Sequence, residues 1–203
     1  MRLRGLALIV TSASCAVWAQ SAGDLALARE LSDSRTRSTA VEEILASHGR
    51  VLPLLLSWAA APPSDVNSYE LAIGLADVFG GLKTREAIPF LIRNLGLNRD
   101  QRVNLWLKAP EVIERGLPAV AALVNIGAEA ASALIRAYWE PMLAEDRPAA
   151  IFAITRIVKV LSPTAVPEAP AFLRSATAKL RIESRYAEEG LTYLERKRDD
   201  GKR

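Results

Sequence analysis

A short apolar signature with a proline or serine in its third position recurs four times along this chain. The four copies occupy residues 51–56, 87–92, 130–135 and 168–173, with Pro53, Pro89, Ser132 and Pro170 in the third position. Successive third positions are 36, 43 and 38 residues apart. A period of this size is typical of helical hairpins that stack side by side. The signature therefore predicts an all-α chain of about four helical pairs.

The spacing of apolar residues predicts helices through most of the chain after residue 24, and no convincing period-2 alternation indicates a strand. Residues 69–79 show the i, i+3, i+4 spacing of a helix with one buried face. We expect Gly80 and Gly81 to end this helix, since glycine is a common helix C-terminal residue. The longer connection over 96–109 explains the 43-residue spacing, and Pro110 is expected to start the next helix.

Two more helical pairs are predicted in the second half of the chain. Residues 117–126 and 128–139 form the third pair, divided at Gly127. The fourth pair begins with 148–161. Its second helix starts near residue 166 and is expected to continue as one long C-terminal helix to about residue 197.

The beginning of the chain predicts a secretory signal peptide over 1–19. Arg2 and Arg4 form a basic start, and an apolar run over 5–19 follows them. This run is shorter than the roughly 20 apolar residues that cross a membrane. We therefore expect cleavage after residue 19, which leaves 20–203 as a single exported domain, periplasmic or secreted, without a transmembrane span.

The single cysteine and the small net charge argue against several classes of function. Cys15 is the only cysteine and lies inside the predicted signal, where lipid attachment is a minor alternative to cleavage. The rest of the chain then has no thiolate for a metal or a disulfide, and we expect no metal and no cofactor. Without Arg2 and Arg4 the formal charge falls from +3 to +1, which argues against a nucleic-acid partner.

The repeated signature follows helix ends that share a pattern of their own. Residues 75–80 and 122–127 both end an apolar helix in glycine, and the signature comes next in the chain. Together these segments resemble HEAT repeats, including the shorter bacterial HEAT-like type, over roughly residues 40–175. The resemblance implies a short HEAT-like α–α solenoid and, since members of this family mostly serve as binding scaffolds, a scaffold without a particular ligand. Pro163 departs from the pattern, because it replaces a turn glycine in the last repeat.

Catalytic signatures are absent from the sequence. His48 is the only histidine, so it alone could act as the base of a Ser-His-Asp triad. The paired acidic residues are adjacent in the chain, and adjacent side chains point apart on a helix. We therefore predict no catalytic residue and a non-enzymatic protein-binding or scaffold module. One alternative is a carboxylate-dependent hydrolase acting on a cell-wall polymer or glycan, which needs two acids from different helices in one cleft. Another is a structural role through self-association of the terminal helices.

Three arginines are the best binding candidates. Arg93, Arg136 and Arg174 each lie four residues after the third position of a signature copy. Stacked pairs would bring them to equivalent positions on successive second helices, where guanidinium groups bind carboxylates or other anions in two-pronged fashion. The predicted partner is another protein or an anionic polymer. The competing explanation is that each arginine is a solvated surface residue or pairs with a nearby glutamate.

The inserted segment over 96–109 supplies further candidates. It contains Arg99, Arg102 and Trp106, and a long loop within a compact array is more often functional than accidental. We include these three residues in the predicted binding surface. Trp139, in contrast, lies near the end of a second helix and is expected to pack.

Overall fold

The structure, a computed structural model, describes residues 22–47, 49–100, 108–161, 164–179 and 184–200. These residues form eleven α-helices and no strand, so the all-α prediction is confirmed. The predicted signal peptide, Arg102 and Trp106 lie outside the described residues, as does His48.

The helices follow one another closely in the chain. They are α1 (Ala22–Ser32), α2 (Arg37–Ala46), α3 (Leu52–Ala60), α4 (Ser68–Leu82), α5 (Ile88–Arg93), α6 (Pro110–Gly116), α7 (Pro118–Ile126), α8 (Ala128–Ala137), α9 (Arg147–Val160), α10 (Ala169–Lys179) and α11 (Ser184–Asp200). Short 3-10 turns precede α5, at Arg85–Ala87, and α9, at Pro141–Leu143.

Contacts between the helices define two rows, which we call the first row and the second row. In the first row, α4 packs on α1 and on α7, α7 packs on α9, and α9 packs on α11. In the second row, α3 packs on the turn that leads into α5, α5 packs on α8, and α8 packs on α10. Helices of the first row form the centre of the hydrophobic core, since nine of the 15 residues of α4 and nine of the 14 residues of α9 are buried.

Two glycines of α4 let the first row pack at short distance. A Cβ atom on Gly74 would lie 2.5 Å from the carbonyl oxygen of Leu31 in α1. One on Gly80 would lie 2.8 Å from the Cα atom of Ala122 in α7. Side chains at these positions would push the helices apart, because backbone atoms cannot rotate away.

The prediction that Gly80 and Gly81 end α4 is therefore wrong. The helix continues to Leu82, and Lys83 ends it in the left-handed conformation with φ 53°. Gly80 is needed for contact with a neighbouring helix rather than for a turn.

Three other predicted boundaries are confirmed. Pro110 is the first residue of α6, and Gly127, with φ 90°, separates α7 from α8. The helix predicted over 148–161 is α9, with Pro148 in its first turn, where a missing N–H costs little.

The expectation of one continuous helix from about 166 to 197 is wrong. Residues of this region form α10 and α11, which pack against each other, and α11 also packs on α9. This arrangement buries Tyr186, Ala187 and Leu194 in the core. A single straight helix would carry these apolar side chains away from α9.

Within the described ranges, no helix combines the length and the apolar character needed to cross a membrane.

Candidate binding surface

Two helices of the second row, α8 and α10, run in the same direction. Arg85, in the turn before α5, forms an ion pair of 2.6 Å with Glu129 in the first turn of α8. Ser132 of α8 donates a hydrogen bond to the carboxylate of Glu168, just before α10. Six residues further along, the ring of Tyr138 lies 4.9 Å from that of Phe172 in α10. Contacts therefore advance along α8 and α10 together, which fixes their parallel orientation.

Arg93, Arg136 and Arg174 occupy similar heights on these helices. Arg93 lies eight residues after Arg85, and Arg136 lies seven after Glu129, so both are roughly 10 to 12 Å beyond that ion pair. Arg136 and Arg174 differ by at most about one helical turn when Tyr138 is set opposite Phe172. Arg136 and Arg174 thus lie at similar heights on α8 and α10, and Arg93 lies in the last turn of α5, as Arg136 does in α8.

The side chains of Arg93, Arg136 and Arg174 are all exposed. None of them forms an ion pair within the part of the chain that the structure describes. Of the competing explanations, a solvated surface position fits all three arginines, and Arg136 also acts electrostatically on Glu168. We call Arg93, Arg136 and Arg174 the arginine row.

The surface around the arginine row is shallow. Exposed or half-exposed neighbours on the same three helices are mostly small: Pro89, Ser132, Ala133, Ala171 and Ala178. Small side chains leave the guanidinium groups standing above the surface, where a partner can approach without displacing a neighbour.

Two acids near the arginine row are already bound. Glu129 pairs with Arg85. The hydrogen bond that Ser132 donates lowers the pKa of Glu168, and Arg136 adds a smaller electrostatic effect in the same direction. Glu168 is therefore ionised at neutral pH, yet its strongest partner is a hydroxyl group rather than an arginine.

A partly exposed tryptophan lies in the turn that follows α8. Trp139 follows Arg136 by three residues and keeps 42% of its surface exposed. The guanidinium group of Arg147 lies 5.8 Å from the centre of the Trp139 ring and 5.9 Å from that of Tyr138. This cation–π contact orders the exposed indole. The expectation that Trp139 packs is met in part, since the ring contacts Arg147 and Tyr138 while part of its surface stays exposed.

Arg99 has a structural task of its own. Its guanidinium group donates to both carboxylate oxygens of Asp77 in α4 and to the carbonyl of Arg115 in α6. Its backbone N–H donates to the carbonyl of Gly116 over 3.0 Å. Arg99 thereby ties the C-terminal end of α6 to the first row, and the structure does not bring it to the arginine row.

Two open clefts occur elsewhere, and neither resembles a carboxylate-dependent active site. A cleft of about 340 Å³ between α3, α4 and α5 is lined by apolar residues such as Trp58 and Phe90 and has no acidic residue. A second, of about 280 Å³, has Glu86 as its one acid. Among the described residues, no cluster of histidine, cysteine and acidic side chains could hold a metal ion.

Among the described residues, Asp146 is the acid whose environment partly resembles that of a catalytic group. Burial raises its pKa, the charge of Glu145 adds to this effect, and a hydrogen bond from the Gly96 N–H opposes it. Asp146 lines neither of the two clefts. Its contact with Gly96 holds the loop after α5 against the start of α9, which is a structural role.

Comparison with known proteins gives no relative. No family model, no curated protein and no solved structure matches this chain.

Proposed function

We propose that this chain is an exported, non-enzymatic binding or scaffold module that recognises an acidic partner through the arginine row. The observation that carries the proposal is the set of three exposed arginines on the neighbouring helices α5, α8 and α10, none of which forms an ion pair among the described residues. The partner is another protein or an anionic polymer. Nucleic acid is a poor candidate, because the charge of the chain beyond residue 19 is close to neutral.

The proposal includes a short HEAT-like solenoid as the scaffold. Contacts in the order α1, α4, α7, α9 and α11, with α3, α5, α8 and α10 beside them, support it. In such a stack each helical pair touches mainly its neighbours, and equivalent positions of successive pairs form continuous surfaces. The arginine row is one such surface.

Electrostatics favour a partner over solvent at this row. A charge-assisted hydrogen bond contributes roughly 1.5 to 3 kcal/mol, about twice a neutral one. Three guanidinium groups in line can engage several carboxylates at once, and a partner bound by one group finds the next at high local concentration. A partner with a single carboxylate gains only a weak surface ion pair.

Export is proposed from the basic start and apolar run of residues 1–19. Expression of the full chain in a bacterium, followed by N-terminal sequencing of the periplasmic protein, tests this part. We expect a mature chain that begins at Gln20. A full-length protein that stays in the cytoplasm contradicts export and leaves the binding proposal to its own test.

Retention of partners on the immobilised protein tests the binding proposal. The test variant is Arg93→Ala, Arg136→Ala, Arg174→Ala, in which the arginine row is lost. The matched control is Arg29→Ala, Arg196→Ala, Lys197→Ala, which removes three exposed charges from α1 and α11. Envelope components held by the original chain and by the control, but not by the row variant, support the proposal. An identical set on all three proteins contradicts it.

A further inference from the structure

We propose that the cleft between α3, α4 and α5 binds a small, neutral aromatic molecule that carries a hydrogen-bond acceptor. This site is separate from the arginine row, and the proposed function does not depend on it. Three observations carry the inference: the size of the cleft, the character of its walls and a buried N–H group without a partner. We call this cleft the apolar cleft.

The apolar cleft has the size and the position of a small-molecule site. Its volume is about 340 Å³. Ligand pockets usually measure about 300 to 1,000 Å³ and often lie between packed helices. A cavity of about 150 Å³ with apolar walls holds one benzene molecule. The apolar cleft therefore has room for a molecule of about two fused rings.

Burial distinguishes the rim of the apolar cleft from its inner wall. Pro62 and Ser68 are exposed and Asn94 is half-buried, so these residues belong to the rim. The inner wall consists of buried residues, which are Trp58, Leu71, Ala72, Leu75, Phe90 and Leu97. Side chains of the inner wall are thus apolar, with the indole N–H of Trp58 as their one polar group.

The indole N–H of Trp58 gives the inner wall its capacity for a specific contact. Trp58 is 2% exposed, and its Nε1–H has no hydrogen-bond partner among the described residues. A buried donor in this state is costly, because it has given up its hydrogen bonds to water. A carbonyl oxygen that a ligand carries to the inner wall offsets this cost, and a hydrocarbon of the same shape does not.

The two half-buried polar side chains of the apolar cleft already have partners. The Tyr69 hydroxyl donates to the carbonyl of Asn98 and accepts from the backbone N–H of Asn98, both over 2.9 Å. Asn94 donates from Nδ2 to the carbonyl of Phe90 over 2.8 Å. The buried donor that is left for a ligand is the Trp58 N–H, so one acceptor is what the ligand must supply.

The walls favour a ligand that is neutral and aromatic. No charged side chain among the described residues lines the apolar cleft, so an ion would lose hydration without gaining a counter-charge. Trp58, Tyr69 and Phe90 supply aromatic rings, and contacts between rings are more favourable than their buried area alone. An aromatic ketone of two fused rings combines these properties.

Two probes of nearly the same shape test the inference. Acetylnaphthalene has a carbonyl oxygen that can accept the Trp58 N–H, and isopropenylnaphthalene has a methylene group in place of that oxygen. Each probe is titrated into isotope-labelled protein, and the indole N–H signal of Trp58, assigned with Trp58→Phe, is followed by NMR. We expect the ketone to move this proton downfield, as a new hydrogen bond does, and the hydrocarbon to leave it nearly in place.

A matched pair of variants connects the preference for the ketone to the N–H group. Trp58→Phe keeps an aromatic ring in the wall and removes the donor. We expect the preference, the Kd of the hydrocarbon divided by that of the ketone, to fall about tenfold in this variant. Because the preference is compared between proteins, the cost of removing the ketone from water cancels. Trp139→Phe, the same substitution outside the cleft, is expected to leave the preference unchanged.

Three outcomes overturn the inference. If neither probe binds, the apolar cleft is not a ligand site. An equal preference in the original chain and in Trp58→Phe means that the N–H does not select the ligand. Tighter binding of the anion naphthoate than of acetylnaphthalene means that the site takes a charged ligand. Should Trp58→Phe fail to fold, an unmoved Trp58 signal in the original chain saturated with the ketone contradicts the inference by itself.

Discussion

The two rows of helices differ in how their charged residues are paired. In the first row and its attachments, charges join separate helices: Arg37 pairs with Glu70, Arg99 with Asp77, Arg156 with Glu114, and Lys159 with Glu189. In the second row, the ion pair of Arg85 with Glu129 is exposed, and Arg93, Arg136 and Arg174 form no ion pair among the described residues.

We infer from this difference that the paired charges serve stability and that the exposed arginines serve recognition. Charges that join helices are satisfied inside the protein and are worth most where they are shielded from water. Charges left on one exposed line add little to the free energy of unfolding, but they are available to a partner. Substitutions in the first row should therefore change stability, and substitutions in the arginine row should change binding.

The largest expected effect concerns the glycines of α4. Gly80→Ala places a methyl group against the backbone of Ala122, so we expect a loss of about 2 kcal/mol in the free energy of unfolding. Gly81→Ala is the matched control, because the new methyl group meets only the end of the Leu45 side chain, which can rotate. Gly81→Ala also introduces the higher helix propensity of alanine, which raises the free energy of unfolding by about 1 kcal/mol. Urea denaturation measures both, and equal stability of the two variants would contradict close packing of α4 on α7.

The next effect concerns Arg37, the most buried charged group of the described chain. Its Nε donates to the Leu31 carbonyl over 2.9 Å, and its Nη2 lies 2.5 Å from the Glu70 carboxylate. Arg37→Ala leaves both acceptors without this donor, and we expect a loss of about 2 kcal/mol. Arg85→Ala breaks the exposed pair with Glu129 and is expected to cost less than about 0.5 kcal/mol. Similar urea midpoints for Arg37→Ala and Arg85→Ala would contradict the proposal that ion pairs of the first row contribute more to stability than those of the second row.

A smaller change in stability is expected when the arginine row is lost. Arg93 and Arg136 lie in the last turns of α5 and α8, where a cation interacts favourably with the helix dipole. Arg93→Ala, Arg136→Ala, Arg174→Ala should therefore lower the free energy of unfolding by about 1 kcal/mol or less in total. Thermal unfolding followed by circular dichroism measures this. A variant that unfolds at room temperature would show that the row is structural.

The smallest effect is the titration of Glu168. Its pKa is lowered in the folded chain, so its contribution to stability is present above the ordinary pKa of glutamate and is lost as the pH falls through the lowered value. Ser132→Ala should raise the pKa of Glu168 more than Arg136→Ala does, because the hydroxyl hydrogen bond is the main cause. Carboxyl NMR titration compares the variants. A larger rise in Arg136→Ala would mean that Arg136 is already engaged as an ion-pair partner.

Local features of the fold could be predicted from the sequence, and long-range features could not. Pro110, Gly127 and Pro148 mark helix boundaries through their own backbone preferences, and the structure has helices beginning or dividing there. Gly80 has the same preference, but its environment is set by Ala122, more than forty residues away. The break between α10 and α11 likewise depends on their packing against each other and of α11 on α9.

The candidate site also combines features that the sequence predicts with long-range contacts that it does not predict. The repeat period alone relates Arg93, Arg136 and Arg174, and all three lie on exposed positions of neighbouring helices. Pairing of Arg99 with Asp77, 22 residues away, has no sequence signal. The contact between Arg147 and the Trp139 ring depends on the turn between α8 and α9, which spacing does not reveal.

A distance across the arginine row tests the central claim most directly. Spin labels are attached in the variant Arg93→Cys, Arg174→Cys, with the native thiol removed as Cys15→Ser, and their separation is measured by double electron–electron resonance. Two interhelical steps place the two backbones about 20 Å apart, so we predict a single main distance between about 20 and 30 Å once the label arms are included. A main distance beyond about 40 Å would mean that α5, α8 and α10 do not lie side by side, and that the arginines form no common surface.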